Sequence, residues 1–380
     1  MVRVLSKQKH GISIVHINAQ SLNNKMDELR NIFTSSSIDI VCVSETWFHP
    51  ELNDFVYNLS DYNLFRADRV SNAGGVCIYI RKELKCSVKI KSETDSEIEY
   101  IFLELITKGS KILLGTLYRP NRNIPFNNLL RVIETHSVYY NDVIIAGDFN
   151  SNLLVEKKLM ESMNTLGLYS VNTSTPTHFS SAGNTLLDAF FVNCTSKILL
   201  YDQLSASTFS KHDLIFITYD TFVDRAKSQT VYRDFSKIDF HSLWTLENEI
   251  NWSVVYNLDS VEDQIDYMEY HITNLYNACV PLKSRIVCNN QQPWFSQEIR
   301  RLINYRDELY KRWKRFKTHL LYDQFKKARK KVSDSIKTAK NQYYQQKFST
   351  AVDSGSKWKI IRNIGIGQKN KAVVLQFSLT

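Results

Sequence analysis

Three apolar runs in this sequence end in side chains suited to one chemistry. Ile144–Asn150 (IIAGDFN) delivers Asp148 and Asn150, two positions apart, so on a strand both project to the same face. Val15–Asn18 ends in the amide of Asn18, and Val41–Thr46 (VCVSET) carries the carboxylate of Glu45 at its end. A carboxylate can take a proton from an attacking water, and a neighbouring amide can steady charge developing on phosphorus oxygens. Oxygen donors such as Glu45 and Asn18 suit Mg²⁺, with Mn²⁺ as a substitute, because Mg²⁺ needs few protein ligands and completes its shell with water and substrate phosphate. Tyr118 ends a further apolar run, Lys111–Tyr118, where its phenol can meet a phosphate oxygen. Asp188 and His212 come from separate segments and offer a carboxylate and an imidazole, a pair that can hold or donate a proton. Taken together, these residues point to metal-assisted hydrolysis of a phosphodiester.

The elements that must position them are legible as pattern. Buried strands are expected at Gly11–Asn18, Ile38–Ser44, Gly75–Arg81, Glu99–Ile106, Lys111–Tyr118, Asp142–Ala146, Thr185–Val192 and Asp213–Tyr219. Helix-like spacing falls at Lys25–Phe33 and Phe126–Thr135. Many strands and few helices predict an α+β fold. It is expected to be a four-layered sandwich of two packed mixed sheets flanked by helices, followed by an all-α basic tail. Gly147 lets the backbone approach its neighbour closely.

Beyond about Thr230 the texture changes. Leu243, Leu246, Ile250, Ile265, Met268, Ile272 and Leu275 keep helical spacing, and Pro293 and Ser296 are start signals for a helix. Long helices are expected over Ile299–Phe316 and Leu320–Phe348. The expected organisation is a catalytic domain over 1–225, a helical connector over 226–290 and a basic helical region over 291–380.

Charge follows the same division. The chain of 380 residues has 48 Lys and Arg against 39 Asp and Glu, yet 293–371 alone has 21 basic against 6 acidic residues. The remainder is therefore net acidic, which suggests a catalytic unit joined to a polyanion-facing tail. Lys311, Arg312, Lys314 and Arg315, interleaved with Trp313 and Phe316, could neutralise phosphates while the rings stack on bases. No run of about 18 apolar residues occurs, so no membrane partner is expected. The six cysteines have no short paired spacing and are expected as buried thiols rather than zinc ligands or disulfides.

The strings His16–Leu22 (HINAQSL), Ser44–Trp47 (SETW), Arg66–Arg69 (RADR) with Gly74–Tyr79 (GGVCIY), Leu117–Pro120 (LYRP), Gly147–Asn150 (GDFN) and Thr185–Asp188 (TLLD) occur in that order. Over about 10–220 the chain thus resembles the endonuclease/exonuclease/phosphatase superfamily, most closely the endonuclease domain of jockey-like non-LTR retrotransposons. The resemblance implies that Glu45 is the principal Mg²⁺ ligand and Asn18 the metal-side amide. Tyr118 would contact phosphate, Asp148 activate water, Asn150 stabilise the transition state, and Asp188 orient His212. Thr177 would contact DNA, and Arg119 is a further candidate for nucleic-acid binding. Tyr232–Ser236 (YRDFS), Pro293–Phe295 and Tyr310–Phe316 resemble the connector that precedes reverse transcriptase in such elements, although no Tyr-x-Asp-Asp polymerase motif is present.

DNA is then the expected substrate, RNA a further partner through the basic helices, and the nucleus the expected location. One position departs from the family: Ser-Asp-His is replaced by Ser210-Lys211-His212, a positive charge where the metal side should be negative. Asp213 cannot take over, since a shift of one residue reverses the face. Reduced activity is expected. Two alternatives follow: a catalytically impaired nucleic-acid-binding remnant, and a phosphoesterase acting on a small phosphoester such as an inositol phosphate or sphingomyelin.

Overall fold

The computed structural model describes residues 11–34, 36–70, 73–222, 229–286 and 292–364. Two compact units are formed, one from 1–225 with 290–380 and the other from 226–289.

In the larger unit the strands are β1 (Ile12–Asn18), β2 (Ile40–Ser44), β3 (Tyr62–Ala67), β4 (Val76–Arg81), β5 (Lys85–Lys91), β6 (Glu99–Ile106), β7 (Lys111–Tyr118), β8 (Asp142–Asp148), β9 (Tyr169–Ser170), β10 (His178–Phe179), β11 (Asn184–Thr185), β12 (Asp188–Val192), β13 (Ile198–Leu204) and β14 (Leu214–Tyr219). Twelve of them make two six-stranded sheets, ordered β13-β14-β1-β2-β4-β3 and β5-β6-β7-β8-β12-β9, and β10 and β11 pair with each other. Each sheet is mixed: β1–β2 is the parallel pair in the first and β7–β8 in the second. Strand alternation explains the layers. Ile12, Ile14, Ile40, Cys42, Ile78 and Ile217 face Leu103, Ile112, Leu114, Ile144, Ala146 and Phe190 across the gap between the sheets.

The opposite faces carry the helices. Val15, Ile17, Val41 and Val43 pack under Met26, Leu29 and Phe33 of α1 (Met26–Thr34). A four-residue helix, α2 (Asp54–Tyr57), is capped by Asn53. Leu113, Leu117, Val143 and Ile145 pack under Leu129 and Ile133 of α3 (Asn127–Ser137) and Leu159 and Met163 of α4 (Lys158–Thr165). The expected four-layered sandwich is what forms.

The smaller unit has two antiparallel strands, β15 (Gln229–Tyr232) and β16 (Lys283–Ile286), with helices α5 (Phe240–Asn248) and α6 (Val261–Cys279) between them. The segment expected as a helical connector therefore also carries a strand pair. Arg233 donates to Val280 O at 2.7 Å and ties the strand end to the end of α6.

The chain then returns to the larger unit as α7 (Gln297–Phe316) and α8 (His319–Thr350), followed by α9 (Ser354–Ile364). Ser296 caps α7 by accepting from Ile299 N, Lys317 turns in the left-handed region at φ 54°, and Thr318 caps α8. The basic sequence here is two-faced. Ile299, Arg306, Leu309, Tyr310 and Trp313 are buried at helical spacing, whereas Lys311, Arg312 and Arg315 are exposed.

Part of the charge division seen in the sequence is therefore internal. Arg306 pairs with Glu28 at 2.7 Å, Lys314 with Asp213 at 2.7 Å and Lys340 with Asp27 at 2.9 Å. Cys42 and Cys77 are buried free thiols, while Cys86, Cys194 and Cys279 are only half-buried; Cys288 lies outside the described residues. Among the described residues no helix is long and apolar enough to cross a membrane.

Candidate active site

Strand register lines up the polar groups at one end of the second sheet. Glu99 of β6 faces Tyr118 of β7, Tyr118 faces Asp148 of β8, and Asp148 faces Asp188 of β12, so four strands contribute one cross-strand row. Tyr118, Asp148 and Asp188 continue the alternation of Leu114, Ile144 and Phe190, which places them toward the other sheet. β7 and β8 approach so closely here that a Cβ at Gly147 would lie 2.5 Å from Leu117 O. That is the reason for glycine in the GDFN string.

The first sheet supplies the facing half. Asn18 ends β1, paired with Ser44 of β2, and Glu45 follows directly. Asn18 Nδ2 donates to Glu45 Oε1 at 2.8 Å and, across the gap, to Asp148 Oδ2 at 2.6 Å. Its own oxygen accepts from Gln20 N at 3.0 Å. Asn18 is thus a bridge between two carboxylates, with its amide hydrogens where the two negative oxygens converge.

Five non-glycine residues at this end hold positive φ, namely Gln20 (42°), Ser21 (76°), Glu45 (51°), Trp47 (55°) and Asn150 (47°). Such backbone is strained for side-chain-bearing residues and gathers where geometry matters for function. Gly74 and Gly75 support Glu45 from behind: their carbonyls accept from Trp47 N and Thr46 N at 2.9 and 3.1 Å.

Asp188 and His212 form the second focus. Asp188 Oδ2 accepts from His212 Nδ1 at 2.7 Å and from Thr177 Oγ1 at 2.7 Å. Asp148 Oδ2 lies 4.0 Å from the same ring nitrogen. Burial and the adjacent Asp188 push Asp148 above the ordinary carboxylate range, against the pull of His212, Asn150 and Asn18. Burial would raise Asp188 too, but the charge and hydrogen bond of His212, with His16 and Thr177, hold it low. For His212 burial acts downward, and Asp188, Asp148 and Glu45 outweigh it, so the imidazole is raised to about 9. It carries a proton at neutrality, and Asp188 carries none.

His16 was not singled out by the sequence, yet it belongs to this cluster. Fully buried on β1, it meets Ser44 Oγ at 3.2 Å through Nε2, and its Nδ1 stands 3.7 Å from Asp188 Oδ1. Neither of those last two atoms has a hydrogen-bond partner. Burial, opposed by Asp188 and aided by His212, pushes His16 down to about 4. Asp188 therefore lies between a neutral imidazole and a charged one. Ser210 was missed as well: its hydroxyl donates to Asn18 O at 2.5 Å and accepts from His212 N at 3.0 Å, joining the two foci. Apart from their places in the HINAQSL and Ser210-Lys211-His212 strings, a buried histidine in an apolar strand and a small serine before His212 look like ordinary packing.

Several expected contacts are used elsewhere. Thr177 is buried, and besides donating to Asp188 it accepts from Asp188 N and Leu187 N, so it positions Asp188 and does not face a groove. Arg119 is buried, donates to the carbonyls of Ile124, Phe149 and Arg122, and stacks 3.8 Å over Phe126, which makes it a loop staple. Lys314 is held by Asp213 and by the Phe179 ring at 3.4 Å. Lys311, Arg312 and Arg315 remain exposed. Asn150 donates to Arg119 O at 2.7 Å through one amide hydrogen. Tyr118 is raised by burial and by Glu45 and Asp148, so its phenol keeps its proton.

A site of facing carboxylates, amides and a carboxylate-held imidazole between two sheets defines a phosphoester hydrolase. The ligand atoms of Asp148, Asp188 and His212 lie within 4.8 Å of one another, close enough to hold a metal ion. A model of the Endonuclease/Exonuclease/phosphatase family matches residues 15–236, more than half of the sequence, and the chain belongs to that family. Its members are metal-dependent hydrolases, and so is this chain.

A second model, for the Female sterile protein K10 C-terminal domain, matches residues 296–353. No curated protein matches the chain. Similar solved structures include the endonuclease domain of TRAS1, a telomere-specific non-LTR retrotransposon, at 17% identity and TM-score 0.42, covering 55% of this chain and 98% of that one. A 3'-5' exonuclease (NExo) from Neisseria meningitidis has 13% identity and TM-score 0.45, covering 55% of this chain and 100% of its own. An AP endonuclease from Archaeoglobus fulgidus has 14% identity and TM-score 0.44, with the same coverages of 55% and 100%.

Proposed function

We propose that the chain is a Mg²⁺-dependent endonuclease that hydrolyses DNA phosphodiester bonds, the target-nicking module of a non-LTR retrotransposon working in the nucleus. The observation that carries this is the convergence of Asn18, Glu45 and Asp148 across the two sheets, beside the Asp188–His212 pair. The ordered strings of the family, from HINAQSL to TLLD, support the retrotransposon assignment.

The residues fit a hard divalent cation. Glu45 is half-exposed, its Oε2 has only a 3.4 Å contact with Trp47 Nε1, and carboxylate oxygen is the donor Mg²⁺ prefers. Asp188 and His212 meet the distance condition for a metal but are taken up with each other, and a charged imidazole repels a cation. Glu45 is therefore the principal ligand. The metal, when bound, would neutralise phosphate charge and acidify water.

The chain's own groups do the rest. Asp148 accepts the proton of the attacking water, with Asn150 N on Oδ1 and Asn18 Nδ2 on Oδ2 fixing the carboxylate. The imidazolium of His212, held at Nδ1 by Asp188, offers Nε2–H to a non-bridging phosphate oxygen. Tyr118 and the second amide hydrogen of Asn150 stabilise the same charge. Water adds to phosphorus, the P–O3′ bond breaks, and the departing oxygen becomes a 3′-hydroxyl usable as a primer. Lys311, Arg312 and Arg315 supply exposed positive charge for DNA or RNA backbone.

Nicking of supercoiled plasmid with Mg²⁺, abolished by EDTA, is the expected result. DNA binding without Mg²⁺-dependent nicking overturns the endonuclease reading in favour of an impaired nucleic-acid-binding remnant. Release of phosphate from small phosphoesters at a higher kcat/KM redirects the substrate.

A specific observation favours reduced activity. Lys211 occupies the family's Asp position, and it is exposed and without an ion pair among the described residues. Asp213 does not compensate, being buried against Lys314 and Gln203. Lys211→Asp is expected to raise nicking several-fold at limiting Mg²⁺ and to lower the Mg²⁺ needed for half-maximal rate, since one unfavourable charge is replaced by a favourable one. Unchanged rate and Mg²⁺ dependence count against this account of Lys211.

A further inference from the structure

We propose that α7, which lies outside residues 15–236 that match the Endonuclease/Exonuclease/phosphatase family, is a working part of the catalytic unit: Arg306, Tyr310 and Lys314 are positioning residues that brace the 205–213 segment presenting His212. The inference rests on the role of His212 given above.

The 205–213 segment links β13 to β14 and makes no strand pairing of its own apart from a single bridge between His212 and His178. The side chains of Ser207, Thr208, Ser210, His212 and Asp213 within it are nevertheless buried, and such groups must find partners. On the inner side, Ser210 reaches Asn18 O, and Lys25 Nζ donates to Phe209 O at 2.5 Å and Ala19 O at 2.7 Å.

On the outer side α7 supplies four partners. Ser207 Oγ donates to Asp307 Oδ1 at 2.6 Å, and Thr208 Oγ1 accepts from Arg306. Tyr310 OH donates to Lys211 O at 3.3 Å, and Lys314 Nζ donates to both oxygens of Asp213 at 2.9 and 2.7 Å. Residues on both sides of His212 in the chain are thereby fixed by one helix. The same helix packs Tyr310 and Trp313 against Phe179, whose amide donates to Lys211 O at 3.1 Å.

The chemistry of this contact is that of a permanent interior, not of a transient dock. Arg306 is fully buried, and a guanidinium can be so only when its donors are met, here by Glu28, Asp307 and Thr208. Lys314 likewise answers a carboxylate one residue from His212 that otherwise has only Gln203. Removing the ammonium leaves Asp213 buried without a counter-charge, which favours movement of the segment toward water. Displacement of a catalytic group by about 1 Å can reduce turnover up to about 100-fold.

The test uses the full chain with a nicked-product assay on a duplex oligonucleotide. Lys314→Met is expected to lower kcat roughly tenfold or more with KM changed less than about twofold, and Lys314→Arg to restore most of it. Tyr310→Phe, which removes one hydroxyl and keeps the ring packed, is expected to lower kcat a few-fold and covers the event that Lys314→Met does not fold. Glu308→Gln, on the exposed face of the same helix, should leave kcat unchanged. Amide hydrogen exchange supplies an arm independent of activity: Lys314→Met and Tyr310→Phe should speed exchange over 205–213 and leave β1 and β8 as they were. Unchanged kcat and exchange in the folded variants overturn the brace. If the wild-type chain cleaves no DNA, the function proposed above fails, while the exchange arm still decides whether α7 holds the segment.

Discussion

Replacing Asp148 with alanine is expected to abolish phosphodiester hydrolysis to within detection, a loss of roughly 10³-fold or more, while DNA binding stays near that of the parent. The carboxylate is the single point where both halves of the site meet: Asn18 reaches it at 2.6 Å from the first sheet, Asn150 N holds it at 2.9 Å, and Asp188 is its register neighbour on β12. Burial beside a second acid lifts its proton affinity above that of an ordinary aspartate, which is what a general base for water requires. Alanine removes the base and leaves Asn18 Nδ2 with Glu45 alone. Asp148→Asn keeps the shape and should be nearly as inactive, which separates loss of the base from loss of packing. A variant keeping a tenth of the parent rate in a Mg²⁺ nicking assay would remove Asp148 from the role of base.

His212→Gln is expected to lower the rate by roughly 10²–10⁴-fold, the range for removing a positioned acid or a donor to a developing anion. Its Nδ1 is fixed by Asp188, which in turn is fixed by Thr177, so the ring is preorganised before substrate arrives. The proton on that ring also ties it to folding. The folded-state value of about 9 lies above the unfolded 6.5. The sign is therefore that of a raised base: in the metal-free chain the contribution is fully present below 6.5 and is lost as pH rises through about 9. His16 has the opposite sign, because its value is depressed to about 4. Its contribution is present above 6.5 and is lost as pH falls toward 4. From these two groups the metal-free chain is most stable near pH 6.5, and His212→Gln should flatten the alkaline side only. Thermal melts in EDTA across pH 4–9.5 read this directly; an alkaline limb unchanged by the substitution contradicts the charged state assigned to His212.

What could be read in the sequence was what sits on hydrophobic strands. Runs such as DVIIAGD and KILLGTLY are buried on both faces in a four-layered sandwich, so they stand out as continuous apolar stretches. Their ends advertise Asp148 and Tyr118. Edge and half-covered strands did not. β5 (KCSVKIK) is mostly exposed and lysine-rich, β3 carries Asn63 and Arg66, and β13 (ILLYDQL) is broken by a bulge near Ile198–Leu200, so none shows a clean run.

Side-chain direction was out of reach for a different reason. Whether Asn18 offers its oxygen or its nitrogen depends on the carboxylate of Asp148, 130 positions away. Thr177 was expected to contact DNA from the resemblance, and Arg119 and Lys314 were expected at a nucleic-acid surface, but each has a buried partner that only the fold supplies. The basic tail read as a surface for polyanions proved to be half interface, with Arg306 matched to Glu28 at a separation of 278 residues.

The hydrogen bond from Asn18 to Asp148 joins the two sheets directly at the catalytic end. Each sheet therefore carries half of the chemistry, like the two jaws of a calliper, and the filling of the hydrophobic gap sets their opening. Ile14, Ile112, Leu114 and Phe190 in that gap touch no substrate, but their combined thickness fixes how far Glu45 stands from Asp148. The molecule has in effect made its cutting edge a gauge of its own core: wear anywhere along the gap is read out at the tip.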